Sequence, residues 1–143
     1  MKIRDILQAK GSHVHAIDPG QTVLDAVGLL VQHSIGALLV RDETGAIAGI
    51  LSERDVLRTC RHRSTELARI PVREVMTRDL IVCVADDEVD YAMGIVTQNR
   101  VRHLPVLDGD RLVGLVSIGD LVKACLDEAQ YENRYLREYI TAR

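Results

Sequence analysis

The amino-acid sequence is written twice. Residues 3 to 60 and 72 to 125 follow one pattern, so any fold open to this chain must be built from two copies of one motif. Ile3, Arg4, Asp5, Ile6 and Leu7 correspond to Val72, Arg73, Glu74, Val75 and Met76, and Val23, Ala26, Gly28 and Leu30 to Val89, Ala92, Gly94 and Val96. Downstream, Leu38, Val40 and Asp42 align with Leu104, Val106 and Asp108. After a one-residue gap, Gly49, Ser52, Asp55 and Cys60 align with Gly114, Ser117, Asp120 and Cys125.

Within each copy the period of the apolar residues changes in the same order. A short apolar run (His15 to Ile17; Ile81 to Val84) predicts a strand, and a polar turn follows it. Next, Val23, Ala26, Val27, Leu30 and Val31 fall at helical spacing, as do Val89, Ala92, Met93 and Val96, which predicts an amphipathic helix from Thr22 or Glu88. GALLV with AIAGILS, and HLPVL with RLVGLVS, read as two strands joined by the turns DETG and DGD. ERDVLRTC and IGDLVKAC close the copies as helices. Each copy is therefore β-α-β-β-α, a mixed α/β (α+β) fold. A single copy of roughly 55 to 60 residues buries too little surface to stand comfortably alone, so the two are expected to pack about a pseudo-twofold axis. The expected division is 1–60, a connection 61–71 ending at Pro71, 72–125, and a helical tail 126–143.

Composition narrows the function. The chain is 47% apolar but lacks Trp and Phe, so its core is built from Val, Leu, Ile and Ala. No stretch reaches the roughly 20 apolar residues needed to span a bilayer, and the opening MKIRDILQAK does not resemble a signal peptide; a cytoplasmic location without membrane association is expected. Cys60, Cys83 and Cys125 lack CxxC spacing, and they read as small buried apolar residues rather than disulfide or zinc ligands. A net charge of −3 gives no footprint for nucleic acid, and the basic run Arg58, Arg61, His62, Arg63 suits the negative end of a helix dipole. His13 and His15 could join His33 or His62 at a metal, but lone strand histidines are more often structural, and no metal is expected. GxSxG, a Gly-rich loop with GK[ST], and HExxH are all absent, so no catalytic residues are expected.

SIGALLV and RVRHLPVLD, with GILSERD and GLVSIGD closing the copies, resemble the cystathionine-β-synthase (CBS) domain family, in a tandem pair covering nearly all of the chain but the tail. The chain is similar to small stand-alone bacterial proteins made of one such pair. The resemblance implies a non-catalytic regulatory module that binds AMP, ADP, ATP, NAD(H) or S-adenosylmethionine in clefts between the copies, requires no cofactor, commonly forms a homodimer, and signals by conformational change to a protein target. The alternative is a constitutive interaction scaffold with empty clefts. With no catalytic domain in the sequence, the signal is expected to leave by contact with another protein.

The residues fit that chemistry. In GILSERD and GLVSIGD a strand ends at Ser52 or Ser117 and a helix begins, so backbone N–H groups face outward where a phosphate could sit. Asp55 and Asp120 lie three residues on, where a carboxylate could accept ribose hydroxyls, as the family's equivalent residues do. Ser-x-x-Asp is also the pattern of a capping box, and the two readings are compatible. Arg102 and His103 match basic phosphate contacts of the family, where the first copy has Gly36 and Ala37; by analogy, the packing carries them toward the Asp55 cleft. Their alternative is charge on an exposed strand edge. Arg54 is a further cation, where the second copy has Gly119. His15, Ala16 and Ile17 in the first copy, and Ile81 to Val84 with Val82 in the second, could each supply an apolar slot for adenine, closed by Ile35 and Val101, although core packing accounts for any one of them. In the tail, Tyr131, Tyr135 and Tyr139, widened by Leu136 and Ile140, form a ridge that must be covered by its own module or by a second chain, with dimer contact the favoured role.

Overall fold

A computed structural model of the protein describes residues 1–141; Ala142 and Arg143, the end of the expected tail, lie outside the described residues. Helix α1 (Ile3–Lys10) leads into strand β1 (Ala16–Ile17), helix α2 (Val23–His33), strands β2 (Ala37–Arg41) and β3 (Ile47–Ser52), and helix α3 (Glu53–Arg63). The second copy repeats the order with α4 (Val72–Val75), β4 (Cys83–Val84), α5 (Val89–Asn99), β5 (His103–Asp108), β6 (Arg111–Ser117) and α6 (Ile118–Thr141). Every element of the expected motif is present, and each copy gains a short leading helix. The expected first strands shrink to two residues, leaving His15, Ile81 and Val82 in extended chain ahead of them.

Each copy forms a three-stranded sheet, in the orders β1-β2-β3 and β4-β5-β6. The first two strands are parallel, which requires a crossover, and the helix between them supplies it. The hairpins are antiparallel and in equivalent register: Ala37 opposes Ser52 in one, His103 opposes Ser117 in the other. Both are irregular at the same place, between Val40 and Arg41 and between Val106 and Leu107.

Packing divides the chain differently from the repeat. One compact unit comprises Val14–Leu80; the other combines Met1–His13 with the chain from Ile81 onward. In the latter, the N–H groups of Ile3 and Arg4 donate to the carbonyls of Asp87 and Ala85, each at 2.9 Å, while Ile3, Ile6 and Leu7 enter the core around Leu104, Val116 and Leu121. In the Val14–Leu80 unit, the N–H groups of Val72 and Arg73 donate to the carbonyls of Gln21 and Pro19, and Val72 and Met76 join the core around Leu38, Val40 and Leu51. The segment opening each repeat thus completes the body formed by the other copy's strands and helices. The expected boundaries follow the duplication of the sequence, whereas each hydrophobic cluster needs a leading segment from elsewhere in the chain. Full burial of a side chain such as Ile3 or Val72 is worth about 1.5–3 kcal/mol.

Two glycines make room for these segments. A Cβ on Gly49 would lie 2.6 Å from the Thr77 carbonyl oxygen, and one on Gly114 2.6 Å from Leu7 Cδ2. The amphipathic helices bury Val23, Ala26 and Leu30, and Val89, Ala92 and Val96, as their spacing predicts. Val31 departs from the predicted stripe and is 73% exposed, because it lies beside α2's C-terminal turn at the margin of the buried face. Both helices end on a left-handed residue, Ser34 (φ 52°) and Arg100 (φ 55°). The next N–H, of Ile35 or Val101, reaches back to the carbonyl of Leu30 or Val96 in a Schellman arrangement.

The closing segment of the second copy and the tail form one helix, α6. Only its first part packs inward, through Leu121 and Ala124. Tyr131, Tyr135 and Tyr139 are 72%, 60% and 53% exposed, so their own unit does not cover the ridge. Cys83 is buried, whereas Cys60 and Cys125 are only half-buried, a correction to the expectation for those two: each stands one residue past a buried position, Thr59 or Ala124, about 100° round the helix from it.

Candidate functional site

The two Ser-x-x-Asp segments sit where β3 and β6 turn into helices, and both form complete capping boxes. Asp55 Oδ2 accepts from the Ser52 N–H at 2.9 Å and from the Ser52 hydroxyl at 3.2 Å, while the Asp55 N–H donates to Ser52 Oγ at 3.4 Å. In the second copy, Asp120 Oδ2 accepts from the Ser117 N–H at 2.8 Å, and the Asp120 N–H donates to Ser117 Oγ at 3.1 Å. Orphan donors at the helix start are thereby satisfied, a device typically worth about 1 kcal/mol. In both boxes the cap engages Oδ2. The second oxygen differs: Asp55 Oδ1 takes a long 3.5 Å bond from the Thr77 hydroxyl, whereas among the described residues Asp120 Oδ1 takes none.

The surroundings of the two carboxylates differ further. Asp55 is 8% exposed. Asp120 retains 25% of its side-chain exposure and pairs with Lys10, whose ammonium lies 2.7 Å from Oδ2 and also donates to the Leu115 carbonyl at 3.0 Å. Burial pushes the Asp120 carboxyl up, but hydrogen bonds from the Lys10 ammonium and the Ser117 N–H outweigh it and hold the group below its ordinary value. The pair borders a cleft of about 180 Å³ between α1 and α6, with Lys123, Asp5 and Asp127 on its walls.

Lys10 was not among the residues singled out from the sequence. The signal was present: continuing the repeat's offset, Lys10 corresponds to Asp79, a reversal of charge. The pairing it signals is hidden by sequence distance, since 110 residues separate Lys10 from Asp120. Lys10 supplies a cation to the turn where Gly119 leaves none, while Arg54, on the first turn of α3, is exposed beside Asp55.

Strand register places Arg102 and His103 beside Ser117. His103 opposes Ser117 in the ladder, and the Arg102 carbonyl accepts from the Ile118 N–H at 2.8 Å, just as the Gly36 carbonyl accepts from Glu53 at 3.0 Å. Both basic residues therefore belong to the same unit as Asp120 and Lys10, with Arg102 exposed and His103 half-buried.

The residues expected to line the two apolar slots differ in exposure. Ile17 is 3% exposed and lies in the core opposite Val40, which removes it from any ligand surface; Ala16, on the other face of the strand, is exposed. His15 stacks on His33 with ring centroids 3.9 Å apart. Val82 is 36% exposed, while Ile35 and Val101 pack against their cores from the Schellman turns. Among the described residues, no group of three or more His, Cys, Asp or Glu side chains could hold a metal ion. No helix among them is long and apolar enough to cross a membrane.

Comparison with known proteins agrees with this architecture. The CBS domain model matches residues 3–62 and 72–127. A CBS domain-containing protein, CBSX3, mitochondrial, from Arabidopsis thaliana is 36% identical over 146 aligned positions, covering 96% of this chain and 71% of that protein. The crystal structure of a CBS-domain-containing protein from Agrobacterium tumefaciens superposes with a TM-score of 0.84 at 35% identity, covering 87% of this chain and 98% of that one. The CBS domain pair of protein MJ0100, solved in complex with 5′-methylthioadenosine and S-adenosyl-L-methionine, shares the fold with a TM-score of 0.79 at 23% identity, covering 90% of this chain and 98% of that one. With both halves matched in sequence and in fold, the chain belongs to the CBS domain family, as a tandem pair.

Proposed function

We propose that this chain is a non-catalytic regulatory module that binds an adenosine-type ligand, AMP, ADP, ATP or NAD(H), at its Ser-x-x-Asp helix starts and signals to a protein target. The observation that carries the reading is the division of labour within each carboxylate: the cap uses Oδ2 and leaves Oδ1 weakly bonded or open. An oxygen so held can accept a ribose hydroxyl without dismantling the helix start. Lys10 pairs with Asp120 and Arg54 adjoins Asp55, and the site that Arg102 and His103 serve takes the more highly charged ligand. The adenosine-containing ligands of MJ0100 support the ligand class. Signalling follows if the ligand binds one arrangement of the module more tightly than another, with a coupling typically of about 1–3 kcal/mol. Homodimer formation and a cytoplasmic location belong to the same proposal.

A second reading, a constitutive scaffold without ligand, is favoured by the 8% exposure of Asp55 and by Lys10 already occupying Asp120. Calorimetry with AMP, ATP and NADH on the wild type, Asp55→Asn and Asp120→Asn separates them. Loss of a charge-assisted hydrogen bond, about 1.5–3 kcal/mol, weakens binding roughly 10- to 100-fold in at least one variant if the carboxylates hold the ligand. Unchanged affinity with a lowered Tm makes them caps alone, and no binding at millimolar ligand favours the scaffold.

A further inference from the structure

Helix α6 carries a second apolar face besides the tyrosine ridge. Val122, Leu126, Ala129, Asn133, Leu136 and Ile140 recur at intervals of four, three, four, three and four, the d and a positions of a heptad. All six are exposed; Leu126, Leu136 and Ile140 are 57%, 56% and 69% open. The stripe lies roughly a third of a turn from the face through which Leu121 and Ala124 pack inward, and at 1.5 Å per residue it is roughly 27 Å long. The tyrosines continue the inward face past the end of its cover and stand outside the stripe.

We infer that this stripe is the seam of a parallel, in-register pairing of α6 with α6 of a second copy. The inference rests on the homodimer in the proposed function and specifies its surface and orientation. Polarity and charge select the occupant. Asn133 takes an a position, where in a parallel pair it meets its own counterpart and the two amides satisfy each other. Glu132 falls at g and Arg137 at the following e, so each Glu132 faces the partner's Arg137 in two symmetric ion pairs. Antiparallel pairing over the same stripe sets Glu132 against Glu132 and Lys123 against Arg137, and leaves Asn133 facing Ala129. Charge complementarity thus favours the parallel arrangement of two copies.

Crosslinking and mass measurements on the full chain test the seam. Asn133→Cys should form a disulfide-linked dimer on mild oxidation, while Tyr135→Cys, on another face, should not. Glu132→Arg and Arg137→Glu should each weaken self-association at least 10-fold by analytical ultracentrifugation, and the double exchange should restore it, with circular dichroism confirming retained helix. A dimer that forms without crosslinking at position 133, or that ignores both charge reversals, overturns the seam and leaves dimerisation standing. A wild-type monomer at all concentrations overturns both, without bearing on ligand binding.

Discussion

Gly49 and Gly114 occupy equivalent positions in the two sheets, yet adding one methyl group should affect them unequally. At Gly49, an alanine Cβ would stand 2.6 Å from the Thr77 carbonyl oxygen, with Met76 Sδ at 2.9 Å. Ordinary contact requires a retreat of about 0.8 Å, and the retreating group is backbone. That backbone is pinned: the Ile50 N–H donates to Thr77 and the Thr77 N–H to Ile50, both at 2.9 Å. Moving the segment breaks or stretches both bonds, each worth about 0.5–1.5 kcal/mol, on top of an overpacking cost of about 1–3 kcal/mol. The smaller unfolded-state entropy of alanine offsets about 0.4–1 kcal/mol. Around the middle of these ranges, the net is about 2–4 kcal/mol for Gly49→Ala. At Gly114 the obstacle is the Leu7 side chain, with Cδ2 at 2.6 Å and Cδ1 at 2.9 Å. A rotamer change relieves much of it, so Gly114→Ala should cost about 1–2 kcal/mol. With an unfolding entropy of about 2.1 cal/mol/K per residue, Tm should fall by about 7–13 °C for Gly49→Ala and about 3–7 °C for Gly114→Ala. Scanning calorimetry measures both. If Gly49→Ala melts with the wild type, or above Gly114→Ala, then the segment after α4 does not press on β3 as described.

Lys10→Met should lower Tm at neutral pH by the worth of a partly exposed ion pair, about 0.5–1 kcal/mol. Because the folded Asp120 carboxyl is held below its ordinary value, that stability is present above the unfolded value near ~4 and disappears as pH falls through the folded value. The wild-type advantage should therefore shrink on acidification below about pH 4 in thermal melts; a gap independent of pH would deny the pair. Burial pushes the Cys83 thiol up to about 12, so a thiol reagent at neutral pH should titrate Cys60 and Cys125 in the native protein and reach Cys83 only in denaturant. Ser34→Gly and Arg100→Gly should each raise the unfolding free energy by about 1 kcal/mol in denaturant titrations, since both positions already hold left-handed backbone.

Local chemistry was legible in the sequence. The spacing of Val23, Ala26 and Leu30 marked a buried helical face, and the same interval in both repeats, Ser52 to Asp55 and Ser117 to Asp120, marked the two capped helix starts. Relations between distant parts of the chain were not. Periodicity reports which side of a helix is apolar, not which body buries it, so nothing in Ile3 or Leu7 announced that they complete the core of the second copy's sheet. Lys10 pairs with Asp120, and His15 stacks on His33, through contacts that depend on that assembled topology. Ile17 looked like a slot residue because a two-residue strand carries too little alternation to reveal which side faces the core.

The exchange of leading segments also orders the protein's birth. On the ribosome, everything in the Val14–Leu80 unit is synthesised before the later strands are translated, and that unit is one continuous stretch of chain. Helix α1 is synthesised before that unit, yet the strands and helices it packs against are synthesised after it. The nascent chain must carry Ile3, Ile6 and Leu7 uncovered until those later elements are made, and a protein cut in the middle of its connection yields neither half whole.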